Sequence, residues 1–235
     1  MQREWQMTSG YAVDFESAIT VIMAITPSDE PIVGGIRRKE TQYPEIAVRE
    51  IVANALIHQD LRITGSGPLV EIFDGRIDIS NPGASLVDTL RLVDNPPKSR
   101  NQEMASLMRR FHICEEAGSG WDKTIDACEE YALPTPSVIN YTSNEGSMKV
   151  SLYPYEPYAS MSSEARVMAC YWHACMCLIE DSPMGNSSLR ARFGKDAPSS
   201  STISRLIREA LDRELIKPVD PAASQRYMRY VPFWA

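Results

Sequence analysis

One predicted helix constrains this fold more than any other segment: it begins at Pro44 and runs to about Gln59. Proline is favoured in the first turn of a helix, where its missing N–H has no intrahelical partner to lose. Glu50 and Asn54 lie one turn apart, on a face whose neighbours are also apolar. A buried carboxylate and amide are costly without partners, so the pair either satisfies itself and the local backbone or lines a pocket. A separate apolar face is formed by Val48, Ile51, Val52, Ala55 and Leu56.

The segments around this helix predict an α+β sandwich. Strands at 69–73 and 76–80 flank Asp74-Gly75, a residue pair that favours a tight hairpin turn, and the residues 81–83 (Asn-Pro-Gly) are expected to end the second strand. The other predicted elements are helices at 15–25, 102–111 and 121–131, a strand within 31–40, and a hairpin of 138–141 with 148–153. Helices layered on a sheet in this order make an α+β fold.

A Pro- and Ser-rich stretch at 153–163 predicts a linker that divides the 235-residue chain in two. We expect an α+β domain over 1–155, a linker at 156–162 and a second domain over 163–235. The second domain is predicted to contain helices at 164–180 and 187–193, an amphipathic helix from 202, and a hairpin of 216–219 with 225–231. Three helices followed by a hairpin are typical of a winged helix, a relative of the helix-turn-helix.

The polar pair and two glycine-containing segments resemble the nucleotide site of the Bergerat-fold (GHKL) ATPases. The pattern Glu50-x3-Asn54 is similar to the N-box of that superfamily, residues 81–83 to its first glycine box and residues 118–120 to its second. The resemblance implies that Glu50 is a catalytic group that positions water, and that Asn54 is a ligand of a Mg²⁺ ion bridging the ATP phosphates. It implies cofactor-binding roles for Asn54, Asn81, Gly83, Gly118 and Gly120.

Two residues depart from the ATPase pattern. Asn81 stands where the ATPases have an aspartate that accepts a hydrogen bond from the adenine amino group, and an amide oxygen accepts without charge assistance. Ser85 replaces the second glycine of that box. The domain is therefore interpreted as a degenerate Bergerat-type domain. Binding of a nucleotide or other anion, ATP hydrolysis, and a vestigial pair that only holds the helix in register are the alternatives.

A narrower resemblance rests on the strings NALIHQD (54–60), ISNPG (79–83), SRN (99–101) and EAGSG (116–120). They are similar to the RecG-like C-terminal domain of bacterial transcriptional regulators. Those proteins commonly carry an N-terminal Schlafen/AlbA-type DNA-binding domain and a C-terminal winged helix. This chain lacks the N-terminal module, so we expect a short member or a fragment. It contains no Gly-x4-Gly-Lys-Ser/Thr phosphate loop, so the resemblance is not taken to imply helicase activity.

The charge of the chain is uneven. Residues 161–235 contain ten Lys/Arg and eight Asp/Glu, a charge of +2, whereas residues 1–160 carry −9. This asymmetry points to an anionic partner of the second domain. In a winged helix, the N-terminal end of the third helix normally enters the DNA major groove. The candidate DNA contacts are Ser201, Ser204, Arg205 and Arg208 on that helix, and Arg226 and Arg229 on the hairpin.

Cysteine usage and hydropathy exclude several protein classes. The chain has five cysteines, an odd number in apolar helical surroundings, which favours reduced core thiols in a cytoplasm over a disulfide framework. A metal site formed by Cys170, Cys175, Cys177 and His173 is the weaker alternative, because no second ligand cluster faces them. The N-terminus lacks the apolar stretch of a signal peptide, and no apolar run approaches the ~20 residues that span a bilayer. We expect no membrane partner.

Two smaller features each allow a functional and a structural interpretation. Lys98, Arg100 and Asn101 lie in the loop equivalent to the ATPase lid, where they would close over a phosphate, but a solvated loop is the favoured interpretation. His58 is interpreted as a helix cap or surface group rather than as a phosphate contact.

Together these patterns predict a cytoplasmic, DNA-binding transcriptional regulator. The ATPase-like domain would provide an effector pocket, a dimerisation platform or both, with ATP and Mg²⁺ as the candidate cofactors. Proteins that bind operators are usually dimers, so a homodimer is expected. Two alternatives from other classes are an ATP-hydrolysing enzyme that uses Glu50, Asn54 and Mg²⁺, and a protein-interaction scaffold without a ligand.

Overall fold

The structure, a computed structural model, describes residues 5–29, 32–33, 36–37, 40–93, 98–114, 120–143, 145–224 and 227–235. The chain forms two units: residues 1–124 with 137–152, and residues 125–136 with 153–235. The sequence pattern places residues 125–136 in the first domain instead. Their place in the second unit follows from hydrogen bonds to distant residues, since Arg192 donates to the Leu133 carbonyl (2.9 Å).

The first unit opens with the helix α1 (Tyr11–Ile25), which begins four residues earlier than predicted. Two short antiparallel strand pairs follow. They are β1 (Ser28–Asp29) with β4 (Glu40–Thr41), and β2 (Ile32–Val33) with β3 (Ile36–Arg37). The prediction of one strand within 31–40 was therefore wrong. The apolar run is divided instead, because Ile32 pairs with Arg37 and Val33 with Ile36 in antiparallel register.

The helix α2 (Glu45–His58) confirms the central element of the sequence analysis. Eight of its apolar side chains are buried, and they include Val48, Ile51, Val52 and Leu56. Burial of each of these four side chains stabilises the folded state by roughly 1.5–3 kcal/mol relative to leaving it exposed. The helix is buried on more than one face, and this is why its polar residues are enclosed as well.

A four-stranded antiparallel sheet forms the second layer, in the order β5-β6-β8-β7. Its strands are β5 (Leu69–Phe73), β6 (Arg76–Pro82), β7 (Ser137–Tyr141) and β8 (Ser147–Leu152). Apolar residues of the central strands β6 and β8 are buried, and α2 packs on β6. The predicted hairpin of β5 and β6 is confirmed, with Phe73 paired to Arg76 across the turn.

The strand β6 continues to Pro82, so the prediction that residues 81–83 end it was wrong by two residues. Its pairing with β5 ends at Ser80, whereas its pairing with β8 continues to Pro82. On the β5 side the strand is therefore an edge at this point, and a proline is tolerated on a strand edge because no partner there needs its N–H. The extension carries Asn81 towards the C-terminal end of α2.

Two further helices connect the strand pairs, α3 (Gln102–Arg110) and α4 (Gly120–Glu130). A short 3-10 turn at Thr89–Arg91 precedes them, and the Asp88 side chain accepts a hydrogen bond from the Leu90 N–H at its start (2.9 Å). The first five residues of α4 belong to the first unit and the rest to the second.

The second unit contains three more helices and a two-stranded antiparallel sheet. These elements are α5 (Ser163–Ile179), α6 (Asn186–Arg192), α7 (Ser200–Asp212), β9 (Ile216–Pro218) and β10 (Tyr230–Pro232). The hydroxyls of Ser162 and Ser199 cap α5 and α7. The predicted strand at 225–231 is shorter than expected, and Gln225 and Arg226 lie outside the described residues.

The segment 156–162, predicted to be a linker, packs within the second unit. The Arg166 guanidinium donates to the carbonyls of Tyr158 (3.0 Å) and Ala159 (2.9 Å), and the rings of Tyr158 and Phe193 meet edge to face. Across the described part of the chain, every helix falls short of the length and apolar character that crossing a membrane would require.

Candidate functional site

Glu50 is a buried carboxylate with a specific partner. Its side chain is on α2, and Oε1 accepts a hydrogen bond from Arg49 Nη1 at 2.8 Å. The second Arg49 nitrogen, Nη2, donates to the His112 carbonyl at 2.7 Å. The guanidinium is thus fixed at both ends. Glu50 is buried, and one partner that offsets its desolvation is its own neighbour in sequence.

Asn54 lies one turn further along α2, beside the N-terminus of α4. A Cβ atom built on Gly120 would stand 2.8 Å from Glu50 Oε2 and 3.4 Å from Asn54 Nδ2. Because Gly120 has no side chain, α4 can approach the polar pair closely. The N–H groups of the first turn of α4 have no intrahelical acceptor, and they lie at the same end of the helix as Gly120. The structure thus brings together three of the predicted residues. A fourth, Gly118, lies outside the described residues.

The end of β6 supplies the other predicted residues, Asn81 and Gly83. Asn81 is buried, and its Nδ2 donates to the Pro82 carbonyl at 3.1 Å, which leaves Oδ1 as the acceptor of that amide. Gly83 has a φ of 94°, and a Cβ there would lie 2.8 Å from the Asp60 Cβ. The same carbonyl of Pro82 also accepts from the Asp60 N–H at 2.8 Å. These bonds fix the start of the loop after β6 against the end of α2.

One cavity of about 160 Å³ connects these elements, roughly ten times the ~10–15 Å³ that a single water occupies. Its apolar wall includes Ile79, Met148 and Val150 of the sheet. Its polar lining includes Glu50, Asn54, His58, Asn81, Ser85, Lys98 and Arg100. Gly83 and Gly120 also line it. An apolar wall with a few convergent polar groups is the usual character of a small-molecule site.

The loop before α3 closes the C-terminal end of α2. Asn101 Nδ2 donates to the carbonyls of Ile57 (2.9 Å) and Gln59 (2.8 Å), and Arg100 Nη1 donates to that of His58 (3.2 Å). Arg100 Nη2 donates to the Ala84 carbonyl. These bonds satisfy helix-end acceptors that have no intrahelical donor. The favoured interpretation of a solvated loop was therefore wrong for Arg100 and Asn101, whereas Lys98 is exposed.

His58 faces the cavity rather than the surface. Burial lowers its pKa, and the positive charge of Arg100 lowers it further, so the imidazole is neutral at neutral pH. The cavity thus contains two cationic side chains, Lys98 and Arg100, one buried carboxylate already paired with Arg49, and two amides. This set of side chains fits an anionic ligand. If the ligand carries a bound metal ion such as Mg²⁺, the amide oxygen of Asn54 can coordinate that ion.

The comparisons with known proteins agree with this architecture. Residues 65–152 match a family model described as "Putative ATP-dependent DNA helicase recG C-terminal". The matched residues include Asn81, Gly83 and Gly120, whereas α2 with Glu50 and Asn54 precedes the match. Residues 65–152 of the first unit are therefore similar to a RecG-like, ATPase-like domain. No curated protein matches the chain.

Among solved structures, the chain is similar to the crystal structure of the DIP2311 protein from Corynebacterium diphtheriae. The TM-score is 0.51 at 15% sequence identity, over 84% of this chain and 41% of the other. At this identity the similarity concerns the fold alone. The chain spans less than half the length of that protein.

The helix α7 carries most of the residues predicted to contact DNA. Ile203, Leu206, Ile207 and Ala210 are buried on one side, and Ser201, Ser204, Arg205 and Arg208 are exposed. Ser204 Oγ accepts from Asn186 Nδ2 at 3.0 Å, so α6 is fixed to the outer face of α7 at this point.

The hairpin residues are only partly described. Arg229 is exposed and its Nη1 donates to the Met228 carbonyl at 3.0 Å, whereas Arg226 lies outside the described residues. Val219 N–H donates to the Arg229 carbonyl at 2.9 Å, which extends the pairing of β9 with β10 by one bond.

Three groups near the cavity were missed by the sequence analysis: Arg49, Asp60 and the anchoring role of Arg100. The Arg62 side chain holds the pKa of Asp60 well below its usual range by donating to both carboxylate oxygens. An Asp-x-Arg pair is a local signal that was available in the sequence. The partners of Arg49 and Arg100 lie up to 63 residues away, and no spacing rule connects them.

Proposed function

We propose that this chain is a DNA-binding transcriptional regulator, with a winged-helix second unit and an ATPase-like domain that binds a nucleotide or related anion without turning it over. The observation that carries the proposal is the outer face of α7. There, two hydroxyls and two guanidinium groups are exposed along a helix whose other face is buried. Hydroxyl and guanidinium groups are the side chains that most often contact DNA phosphates and base edges.

The charge distribution supports the same proposal. Residues 161–235 carry +2 in an otherwise acidic chain, whereas the whole second unit, with the acidic residues of 125–136 and 153–160, carries −2, so the attraction to a polyanion would be local to the face of α7. Ser201, near the N-terminus of α7, would meet the phosphate backbone, Arg205 and Arg208 the groove, and Ser204 and Arg229 flanking backbone. A role for Arg226 on the wing is part of the proposal and rests on its sequence position alone.

The pocket of the ATPase-like domain is proposed to bind rather than to hydrolyse. Asn54 would accept the cation of a metal–nucleotide complex, Lys98 and Arg100 would face its phosphates, and Asn81 Oδ1 would accept from the base. The ion pair with Arg49 stabilises the charged carboxylate of Glu50, which makes it a weaker base towards water and favours binding over turnover. Gly118 and Gly120 would provide N–H groups to the phosphates.

The alternatives predict different measurements. An ATP-hydrolysing enzyme would release phosphate from purified protein, and this activity would vanish in Glu50→Gln. A scaffold would bind neither nucleotide nor DNA. A homodimer is part of the regulator proposal, because a dimer doubles the interface with a two-fold symmetric site. An N-terminal DNA-binding module in a longer form of the protein is proposed only from the resemblance to regulators of that organisation.

The DNA half is tested by selection from a pool of randomised duplexes, followed by gel shift of the retained sequences. We expect a salt-dependent complex that Arg205→Ala and Arg208→Ala weaken by about tenfold or more together, since each good base contact is worth ~1–3 kcal/mol. Arg110→Ala, an exposed arginine of the first unit, is the matched control and should leave affinity unchanged. A complex that survives the double substitution would place the DNA interface elsewhere.

The pocket half is tested by thermal unfolding with ATP–Mg²⁺. A ligand at a hundred times its Kd stabilises by ~2.7 kcal/mol. We expect a clear rise in Tm that Asn54→Ala abolishes and that Gln102→Ala, an exposed amide on α3, retains. If the Tm of wild-type protein does not rise, nucleotide binding is contradicted. The proposal of DNA binding is then still decided by the gel-shift experiment.

A further inference from the structure

Three side chains of the second unit form a relay that the proposed function does not use. Cys177 Sγ lies 3.4 Å from His173 Nε2, and His173 Nδ1 lies 2.7 Å from Glu129 Oε2. Cys177 and His173 are one turn apart on α5, while Glu129 comes from α4. In this arrangement an imidazole acts as the base that activates a sulfur nucleophile, and a carboxylate orients the imidazole.

The carboxylate of this relay is itself fixed. Arg192, with a completely buried side chain, places Nε 3.4 Å from Glu129 Oε1 and donates through Nη2 to the Leu133 carbonyl. A buried guanidinium beside a carboxylate balances its charge and limits its rotation. Glu129 therefore faces the guanidinium through Oε1 and His173 through Oε2.

The imidazole faces an acceptor on each side. A neutral histidine has one N–H, whereas the imidazolium has two and can donate to both the carboxylate and the sulfur. Burial opposes the charge, but the hydrogen bonds to Cys177 and Glu129 outweigh it and raise the pKa of His173 to about 9. An imidazolium N–H beside a sulfur favours the thiolate, the nucleophilic form of cysteine.

The other four cysteines differ from Cys177 in burial or in the pKa of the thiol. Cys170 and Cys175 have no exposed surface and Cys128 has 1%, while Cys177 has 7%. Burial raises the pKa of Cys128 to about 12 and that of Cys170 further. Cys114, in the first unit, is the most exposed of the five, yet burial raises the pKa of its thiol as well. Exposure alone would make Cys114 the reactive thiol, whereas the relay points to Cys177.

We propose that Cys177 is a modification site for hydroperoxides and other small electrophiles, with His173 and Glu129 as its positioning residues. In the oxidation, the thiolate sulfur attacks one peroxide oxygen, so that an S–O bond forms as the O–O bond breaks. The sulfur loses two electrons and becomes a sulfenic acid. The released hydroxide takes the proton from His173 Nε2 and leaves as water. Because only 7% of Cys177 is exposed, we expect the reaction to be limited to small reagents.

The test is the modification of intact full-length protein by limiting iodoacetamide, and separately by hydrogen peroxide with a sulfenic-acid trap, each mapped by mass spectrometry. In wild-type protein at pH 7 we expect Cys177 to react before Cys114. In His173→Gln we expect the rate at Cys177 to fall about tenfold at pH 7, because the imidazole beside its sulfur is lost, and to recover towards the wild-type rate as the pH is raised and hydroxide in solution takes over the removal of the thiol proton.

The recovery at high pH separates an ionisation effect from a structural one, because a change in access would lower the rate at every pH. Glu129→Gln should give a smaller decrease, since the amide still accepts a hydrogen bond from the imidazole. Whether Cys177 or Cys114 reacts first is measured on the wild-type protein. This result therefore tests the proposal even if a substitution unfolds the second unit. Reaction of Cys114 ahead of Cys177, or an unchanged rate in a folded His173→Gln protein, would overturn the proposal.

Discussion

Gly120 and Glu50 lie so close together that any side chain at position 120 would stand 2.8 Å from the carboxylate of Glu50. Two segments about seventy residues apart in sequence therefore meet at one point, beside Asn54 and the cavity. The carboxylate cannot easily move aside, because it is buried and its other oxygen is held by Arg49. This close approach connects the two halves of the candidate nucleotide site.

The first prediction follows from that approach. Gly→Ala within a helix ordinarily gains up to ~1 kcal/mol. At position 120 we expect the reverse, a loss of about 1–3 kcal/mol in the free energy of unfolding, because the added methyl overpacks the Glu50 carboxylate. Urea unfolding measures it, and Gly67→Ala, where the added Cβ meets no atom within 4 Å, is the control. A stabilised Gly120→Ala protein would show that the carboxylate is free to move.

Gly83 provides a second test, in which backbone strain and packing are separated. Gly83 and Gly65 both have positive φ, 94° and 79°, but only Gly83 has neighbours where a Cβ would stand, the Cβ and N of Asp60. We expect Gly65→Ala to cost about 1 kcal/mol from the backbone conformation alone. Gly83→Ala should cost about 1–3 kcal/mol more. If the two substitutions lower the free energy of unfolding equally, Asp60 must be able to move away from the added methyl group at no cost.

The fold was largely predictable where local pattern decides it. The run of apolar residues after Pro44, the Asp74-Gly75 turn and the stripe from Ile203 to Ala210 each specify their element through nearest neighbours in the sequence. The continuation of β6 to Pro82 was not predictable in this way. It depends on the pairing of Asn81 and Pro82 with β8, which is a property of the sheet and not of the proline.

The candidate site was predictable in its residue types but not in its connections. Glu50, Asn54, Asn81 and Gly120 do line one cavity. The fixing of Arg100 by carbonyls of α2 and of the loop after β6, and of Arg49 by the His112 carbonyl, depends on tertiary approach, because a backbone acceptor has no signature in sequence. This is why the sequence of the loop before α3 indicates a solvated segment although two of its side chains are anchored.

A third prediction concerns the Arg49–Glu50 ion pair. Arg49→Met leaves Glu50 buried beside an apolar group, and we expect a loss of about 1–3 kcal/mol in stability, since one side of the pair is still partly exposed. Adding Glu50→Gln to Arg49→Met should recover most of this loss, because the buried charge is then removed. The double-mutant cycle measures the coupling. Additive effects of the two substitutions would contradict a direct interaction.

The fourth prediction is a pH dependence at Asp122, in the first turn of α4. Burial raises the pKa of this carboxyl from 3.8 to about 6, which means that the folded protein prefers its protonated form. Stability is therefore lost as the pH rises from the unfolded-state pKa to about 6, where the buried group ionises. We expect Asp122→Asn to stabilise the protein at about pH 8 and to have little effect at about pH 4. The midpoints of urea unfolding at the two pH values measure this difference. An equal effect of Asp122→Asn at both pH values would contradict the raised pKa of Asp122.

The central claim is that the second unit binds DNA through α7. The most direct measurement is the fluorescence anisotropy of a labelled mixed-sequence duplex titrated with the full chain over a range of salt concentrations. The claim predicts a linear fall of log K with log salt. Arg205→Ala and Arg208→Ala should lower K at every salt concentration, and the slope should become shallower by about 0.9 for each phosphate that a removed guanidinium neutralises. No binding at low salt, or a K and a slope that neither substitution changes, would contradict it.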